Sequence, residues 1–315
     1  RVASSLIRST SASVLNARNA RNVTIDKSTL VHAVDTAALA VRVSGGSFTF
    51  SNSVLAVDSV ETDYAYGMLL RNVQATIGNS VIVVDGGSES SGISVSDGGL
   101  RIVHSSIVSK GGPDLTHGIG FSGAVDPAAV INSNILRHAE TDTGTGTGLD
   151  ASIVALQFGE FVPNLILLGN NISGWPTVAA GRLSETTGER VSTWSTRSTI
   201  GSTRELNRLD RTVPGLVATG SPVGNNRSVS LSNDYASFNL QELWNLDDTA
   251  RLPDQLLTTV YTRLRVPVSS ETIDAGSALE VLTESFTGTI EGFMTTDIGG
   301  VNRYAAPDIG PVEVR

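Results

Sequence analysis

An eight-residue pattern, apolar–x–apolar–x–x–Ser–x–apolar, returns six times along the first half of this chain. The copies are Val23-Ile25-Ser28-Leu30, Phe48-Phe50-Ser53-Leu55, Ala75-Ile77-Ser80-Ile82, Leu100-Ile102-Ser105-Ile107, Ala128-Val130-Ser133-Ile135 and Leu165-Leu167-Asn170-Ile172, the last with Asn for Ser. Successive copies are 25, 27, 25, 28 and 37 residues apart. A period in that range marks a solenoid, in which each repeat buries its apolar face on its neighbours. A second apolar pair precedes each of the last five copies: Val41/Val43, Met68/Leu70, Ile93/Val95, Ile119/Phe121 and Val154/Leu156. Two residues are inserted near Asp126-Pro127, and a longer insertion is expected around Gly159 to Pro163. One repeat therefore reads as short strand, tight corner, short strand, Ser, third short strand, long loop. Strands this short are not stable alone, and stacking them about 4.8 Å apart in parallel register cures that.

The pattern predicts like residues stacked on like. Ile25, Phe50, Ile77, Ile102, Val130 and Leu167 form one apolar column. Leu30, Leu55, Ile82, Ile107, Ile135 and Ile172 form another. Ser28, Ser53, Ser80, Ser105, Ser133 and Asn170 form a polar ladder, which stacking and backbone bonding at a bend explain without catalysis. Three strands per coil of about 25 residues resemble the coils of pectate-lyase-like proteins. That resemblance implies an all-β, right-handed parallel β-helix; the pattern itself carries no handedness. The regular coils are assigned to residues 1–173, irregular coils and a cap to 174–265, and a closing segment to 266–315. The middle region holds Trp175, Trp194 and Trp244, read as a cover for the open end of the stack, and two candidate short helices, ELNRLDR and LQELWNLDD.

The last fifty residues carry a second resemblance. Ile273-Asp274-Ala275-Gly276 is followed by Asp297, Gly300 and Arg303, then by Asp308-Ile309-Gly310 and Glu313. This is similar to the Ile-Asp-Ala-Gly … Asp-Ile-Gly-x-x-Glu ending of bacterial secreted and surface β-helix proteins. Those usually carry Pro before the Ile-Asp-Ala-Gly, where Glu271-Thr272 stand here. The resemblance implies a bacterial extracellular or cell-surface location and an architecture more than an activity. The physical reading of the motif is a tie, in which Arg303 pairs with Asp297, Asp308 or Glu313 and pins the end, with Asp274, to the last coil.

Composition narrows the uses. The net charge of −9 and pI of about 4.9 argue against nucleic acid or an anionic membrane as partner. There is no cysteine, so disulfides and thiolate metal sites are out. No run of 18 apolar residues provides a membrane span. Arg1, not Met, stands first, so the chain is expected to begin inside a longer precursor.

The best chemical constellation follows the third strand, where successive copies place Ala33, Asp58, Asp85, Lys110 and His138. Asp58 and Asp85, one coil apart, would share a hard cation such as calcium, and Lys110 stands next on the stack, where the resemblance to pectate-lyase-like lyases implies a base. The plainer reading is a solvated edge with an Asp85–Lys110 surface pair, and it is preferred. Tyr64 and Tyr66 stand at the same edge, where rings stack on sugars or shield a strand. His32, His104, His117 and His138 are dispersed, with no H-E-x-x-H among them, and TGTGTG at Thr143 to Gly148 lacks the Lys-Ser/Thr of a phosphate loop. No cofactor is called for beyond the calcium such a pair would take. Three uses stand. The first is a structural or adhesive surface β-helix, associating with itself or with other surface proteins. The second is a polysaccharide lyase or glycoside hydrolase, and the third a calcium-dependent carbohydrate-binding module.

Overall fold

In the computed structural model, residues 1–10, 13–34, 37–59, 64–109, 115–137, 153–159, 162–181, 199–209, 221–229, 276, 297–298, 302–303 and 307–310 are described. The fold is a parallel β-solenoid of about six turns. Its strands are β1 (Val2–Ala3), β2 (Leu6–Ser9), β3 (Leu15–Arg18), β4 (Asn22–Asp26), β5 (Thr29–Val34), β6 (Ala38–Ser44), β7 (Ser47–Ser51) and β8 (Val54–Ser59). They continue as β9 (Tyr64–Gly78), β10 (Val81–Gly86), β11 (Glu89–Val103), β12 (Ser106–Ser109), β13 (Leu115–Ile131) and β14 (Asn134–Arg137). The last are β15 (Ile153–Phe158), β16 (Leu165–Leu168), β17 (Asn171–Ser173), β18 (Thr177–Gly181), β19 (Thr199–Ile200) and β20 (Val223–Gly224), with one helical turn, α1 (Thr203–Leu206).

The coils have three faces, as the repeat predicts. The first face runs β3, β6, then the first halves of β9, β11 and β13, then β15 and β18. The second runs β1, β4, β7, the second halves of β9, β11 and β13, then β16 and β20. The third runs β2, β5, β8, β10, β12, β14, β17. Every pairing within the coils is parallel; only β18 and β19 pair antiparallel.

Both predicted apolar columns are present residue for residue. Ile25, Phe50, Ile77, Ile102, Val130 and Leu167 are successive register partners, and Val2 and Val223 extend the column at either end. Leu30 to Ile172 stack likewise, with Ile7 added on top. From Ile25 to Ile172 these side chains are almost wholly buried, while Val223 is only partly so. The two extra residues near Asp126-Pro127 appear as register slips: Ser96 pairs Ser122, Gly98 pairs Val125, Leu100 pairs Ala128. One expected pair shifts. Leu156 and Phe158, not Val154 and Leu156, continue the column of Ile119 and Phe121. Phe158 lies flat on Phe121, ring centres 5.2 Å apart at 7°, and the pair stands nine and seven residues before Leu165, the same offsets as Ile119 and Phe121 before Ala128, so no longer insertion is needed here.

The ladder is a chain of hydrogen bonds. Each ladder residue donates its backbone N–H to the side-chain oxygen of the next: Ser28 to Ser53 (3.0 Å), Ser53 to Ser80 (3.2 Å), Ser80 to Ser105 (3.2 Å), Ser105 to Ser133 (3.1 Å) and Ser133 to Asn170 (3.0 Å). Each serine hydroxyl donates to the carbonyl two residues back, as from Ser80 to Gly78 and from Ser133 to Ile131. The residue before each rung turns the corner with positive φ: Lys27, Asn52, Asn79, His104, Asn132 and Gly169. Asn and Gly suit that conformation; Lys27 and His104 are held there by the stack. The ladder is longer than the sequence pattern suggests. Ser5 N–H donates to Ser28 Oγ, Asn170 N–H to Asn226 Oδ1, and Asn226 N–H to Asn207 Oδ1.

Of the region assigned to 174–265, β18, β19, β20 and α1 are described, and they pack on the last coils. Trp175 is 8% exposed within the core and donates its indole N–H to the Ile135 carbonyl. The expected helix at ELNRLDR is a single turn that starts two residues earlier, at Thr203, capped by the Ser202 side chain. Trp194, Trp244 and LQELWNLDD lie outside the described residues. No helix among the described residues is long and apolar enough to cross a membrane.

Candidate functional site: the long-loop edge

The third face ends, and the first begins, at the long loops. Asp58 and Asp85 sit at the ends of β8 and β10 as direct register partners, with Ala33 on the coil above. The one-coil spacing expected from the sequence is therefore present, and both carboxylates are half-buried. Lys110 and His138, the next positions on that stack, lie outside the described residues. Among the described residues no group of three or more His, Asp or Glu side chains is placed to hold a metal ion.

Across the loop, β9 and β11 begin with Tyr64 opposite Glu89 and Tyr66 opposite Ser91. The two tyrosine rings stack, centres 5.2 Å apart at 23°. Tyr64 is 40% exposed and is the one large apolar side chain so exposed among the described residues. Burial, with the charge of Glu89 and the ring of Tyr64 beside it, raises the pKa of Tyr66, so its hydroxyl stays protonated and available to donate.

The next coil adds a pair that the sequence reading passed over. His117 is the register partner of Ser91, and its Nε2 lies 2.8 Å from the Ser91 hydroxyl. Burial pushes the His117 pKa down to about 4, so the ring is neutral at physiological pH. Nδ1 has no hydrogen-bond partner among the described residues. A neutral imidazole at this distance could take a serine proton. However, Ser91 is fully buried, and among the described residues no carboxylate is hydrogen-bonded to the ring, so the pair reads as a packed contact. The signal was available: Ser91 and His117 are one period apart.

The remaining named residues lie elsewhere. The closing segment docks on the ladder corner of the middle coils. Gly310 N–H donates to the Asn132 carbonyl (2.8 Å), and the Asn134 side chain donates to the Ile309 carbonyl. Arg303 donates to Asn79 Oδ1 and to the Gly310 carbonyl, 3.1 Å each. Gly276 N–H donates to the Pro307 carbonyl, joining the two halves of the ending motif. A Cβ on Gly276 would sit 2.5 Å from the Pro307 carbonyl oxygen and 3.0 Å from the Asn132 side chain, which explains the glycine. Asp297, Arg303 and Asp308 are all buried; Asp274 and Glu313 lie outside the described residues. Among the described residues of the closing segment, these contacts are with the flank of the middle coils, where that corner offers the side-chain amides of Asn79 and Asn134 and the Asn132 carbonyl. Beneath it, His104 is fully buried, and among the described residues neither ring nitrogen has a partner in good hydrogen-bond geometry. Burial first, then the Arg303 charge, holds its pKa well below the usual range, while the Asp308 backbone pulls weakly the other way.

Fold and edge define the class of protein, a parallel β-solenoid with an acidic, tyrosine-bearing loop edge. No protein-family model, curated protein or solved structure matches this chain.

Proposed function

We propose that this chain is a rigid structural or adhesive β-helix of the extracellular or cell-surface kind, a scaffold rather than an enzyme. The observation that carries the reading is the unbroken ladder and core, which run in register from Ser5 to Asn226 and give every coil the same job of holding its neighbours. The test is release of reducing or unsaturated ends from a polysaccharide panel, with calcium and with chelator. The expected result is no turnover on any substrate. Turnover that disappears in Asp85→Ala would replace this reading with a lyase or hydrolase acting at the acidic edge.

The stacked Tyr64/Tyr66 pair beside Glu89 favours a second reading, passive binding of a polysaccharide at the same edge, with Asp58 and Asp85 contributing calcium dependence. Oligosaccharides should then shift the Tyr64 and Tyr66 ring resonances without being cleaved, and Tyr64→Ala should remove the effect. Ring resonances unmoved by the whole panel would rule that binding out.

A further inference from the structure

The outward side of the first face carries a patch unlike a plain solvated strand. Outward positions of a half-buried strand are ordinarily polar. On β6 they are Leu39, Arg42 and Ser44, and on β9 they are Tyr66, Leu69 and Arg71, paired in register in that order. Leu39 and Leu69 lie outside the apolar core and are partly exposed, as is Tyr66. Tyr64, 40% exposed, stacks on Tyr66 and continues the row to the loop edge. On the next coil the partners of Tyr66, Leu69 and Arg71 are the small side chains of Ser91, Ser94 and Ser96. The β9 row therefore stands as a ledge beside a step down, where an extended segment can lie against it.

The ledge is apolar at the loop end and cationic at the corner end. Arg71 is exposed and Arg42 partly so, and among the described residues neither side chain is in a hydrogen bond or ion pair. One coil and two residues separate them, which puts their Cα atoms about 8 Å apart. The exposed carboxylate on the next coil, Asp97, is engaged by the Ala124 N–H and the Ser96 hydroxyl. Two guanidinium groups held this close, in a chain of net charge −9, favour a partner that brings carboxylates. Tyr and Arg are enriched in protein interfaces, and the aliphatic Leu39 and Leu69 offer no hydrogen bond to a sugar hydroxyl.

We propose that this ledge docks an extended acidic segment of another polypeptide, with apolar side chains against Tyr66, Leu39 and Leu69 and carboxylates on Arg42 and Arg71. The proposal rests on the adhesive form of the scaffold reading, to which it gives a class of partner. Charge fixes the order of the segment: Glu89 stands opposite Tyr64 at the loop end, so the acids belong at the corner end. From Tyr66 to Arg71 the ledge runs about 16 Å, or about five residues of an extended segment.

The probes are peptides of the pattern Leu-x-Leu-x-Asp-x-Asp and its reverse, with Ser at x, which put all four side chains on one side of an extended chain. Comparison peptides carry Lys at both Asp positions. They are titrated into the full chain, and binding is read from the tyrosine ring and arginine Nε–H resonances. The expected result is that the Asp peptide of one direction shifts Tyr64, Tyr66, Arg42 and Arg71, binds about ten-fold tighter than its Lys counterpart and is weakened by salt. Arg71→Glu should reverse the preference. Melting reports whether that variant folds, and Arg71→Gln, which should only reduce the preference, gives a second reading. Equal binding of Asp and Lys peptides, or no shift from either direction at millimolar concentration, overturns the proposal. So do neutral oligosaccharides that shift the same rings while the peptides do not, since a sugar would then be the occupant. Failure here is distinct from failure of the scaffold reading, which turnover on polysaccharide decides.

Discussion

A ladder residue does two things at once, and both are visible at Ser80. Its hydroxyl donates to the Gly78 carbonyl, and its oxygen receives the N–H of Ser53 at 3.2 Å, in a site with no solvent access. Ser80→Ala would strand a buried N–H, at a cost of about 1–3 kcal/mol. Ser80→Asn should cost less, because Asn170 and Asn226 already supply Oδ1 to the same kind of N–H. Denaturant midpoints of the two variants check this, and equal losses would show that side-chain volume, not the acceptor, sets the tolerance. His117 gives a second expectation. Its folded pKa of about 4 lies below the ordinary 6.5, so the unfolded chain binds the proton first as pH falls. The stability it contributes is complete above pH 6.5 and drains away down to about pH 4. The full swing is about 3 kcal/mol. Denaturation midpoints measured between those limits should fall as acid is added, and His117→Gln should remove the part of the fall due to this ring. The Ser91–His117 contact was legible in the spacing, but its burial was not, since burial depends on what neighbouring coils place over it.

Among the elements, the entry to the first face is the tightest place in the coil. Gly67, Gly92 and Gly118 take equivalent steps in β9, β11 and β13. A Cβ on Gly92 would sit 2.6 Å from the Gly118 carbonyl oxygen and press on the Ile107 side chain. Gly92→Ala is therefore expected to destabilise by about 1–3 kcal/mol through overpacking. Chemical denaturation measures it; a neutral result would mean that the coils can part without loss of register. The strand periods and columns were legible because inward residues alternate and each coil repeats the last. The glycine column was not singled out, since glycine in a sequence rich in turns reads first as a loop residue. The misplaced pair in the sixth coil has another cause: it assumes an insertion longer than the fifth coil's, whereas the fifth coil's own offsets, counted back from Leu165, already give Leu156 and Phe158, the pair that the register and the Phe121–Phe158 stack show.

In the whole molecule, the closing segment binds 224 residues away in sequence, through Arg303 and Asn79. Arg303→Ala removes two charged hydrogen bonds, worth about 1.5–3 kcal/mol each. The expected result is faster amide exchange in residues 297–310 while β9 to β14 stay protected. Acid should act in the same direction. His104, neutral and buried beside Arg303, resists protonation, so its contribution is full above pH 6.5 and declines as pH drops below that. Release of the segment with acid, measured by limited proteolysis, should come before loss of the coils. Simultaneous loss would show that the segment and the solenoid are one cooperative unit.

The sequence by itself determined the repeat, the three strands per coil, both apolar columns and the identity of six ladder residues. It could do so because a solenoid's contacts are between neighbours a fixed number of residues apart, so they are written into local spacing. It also placed Asp58 against Asp85, for the same reason. Only the tertiary structure decided where the described part of the closing segment lies and that His104 is buried beneath it. Those contacts join parts of the chain separated by no fixed period. They rest on shape and hydrogen-bond matching between surfaces that exist only after the coils have stacked.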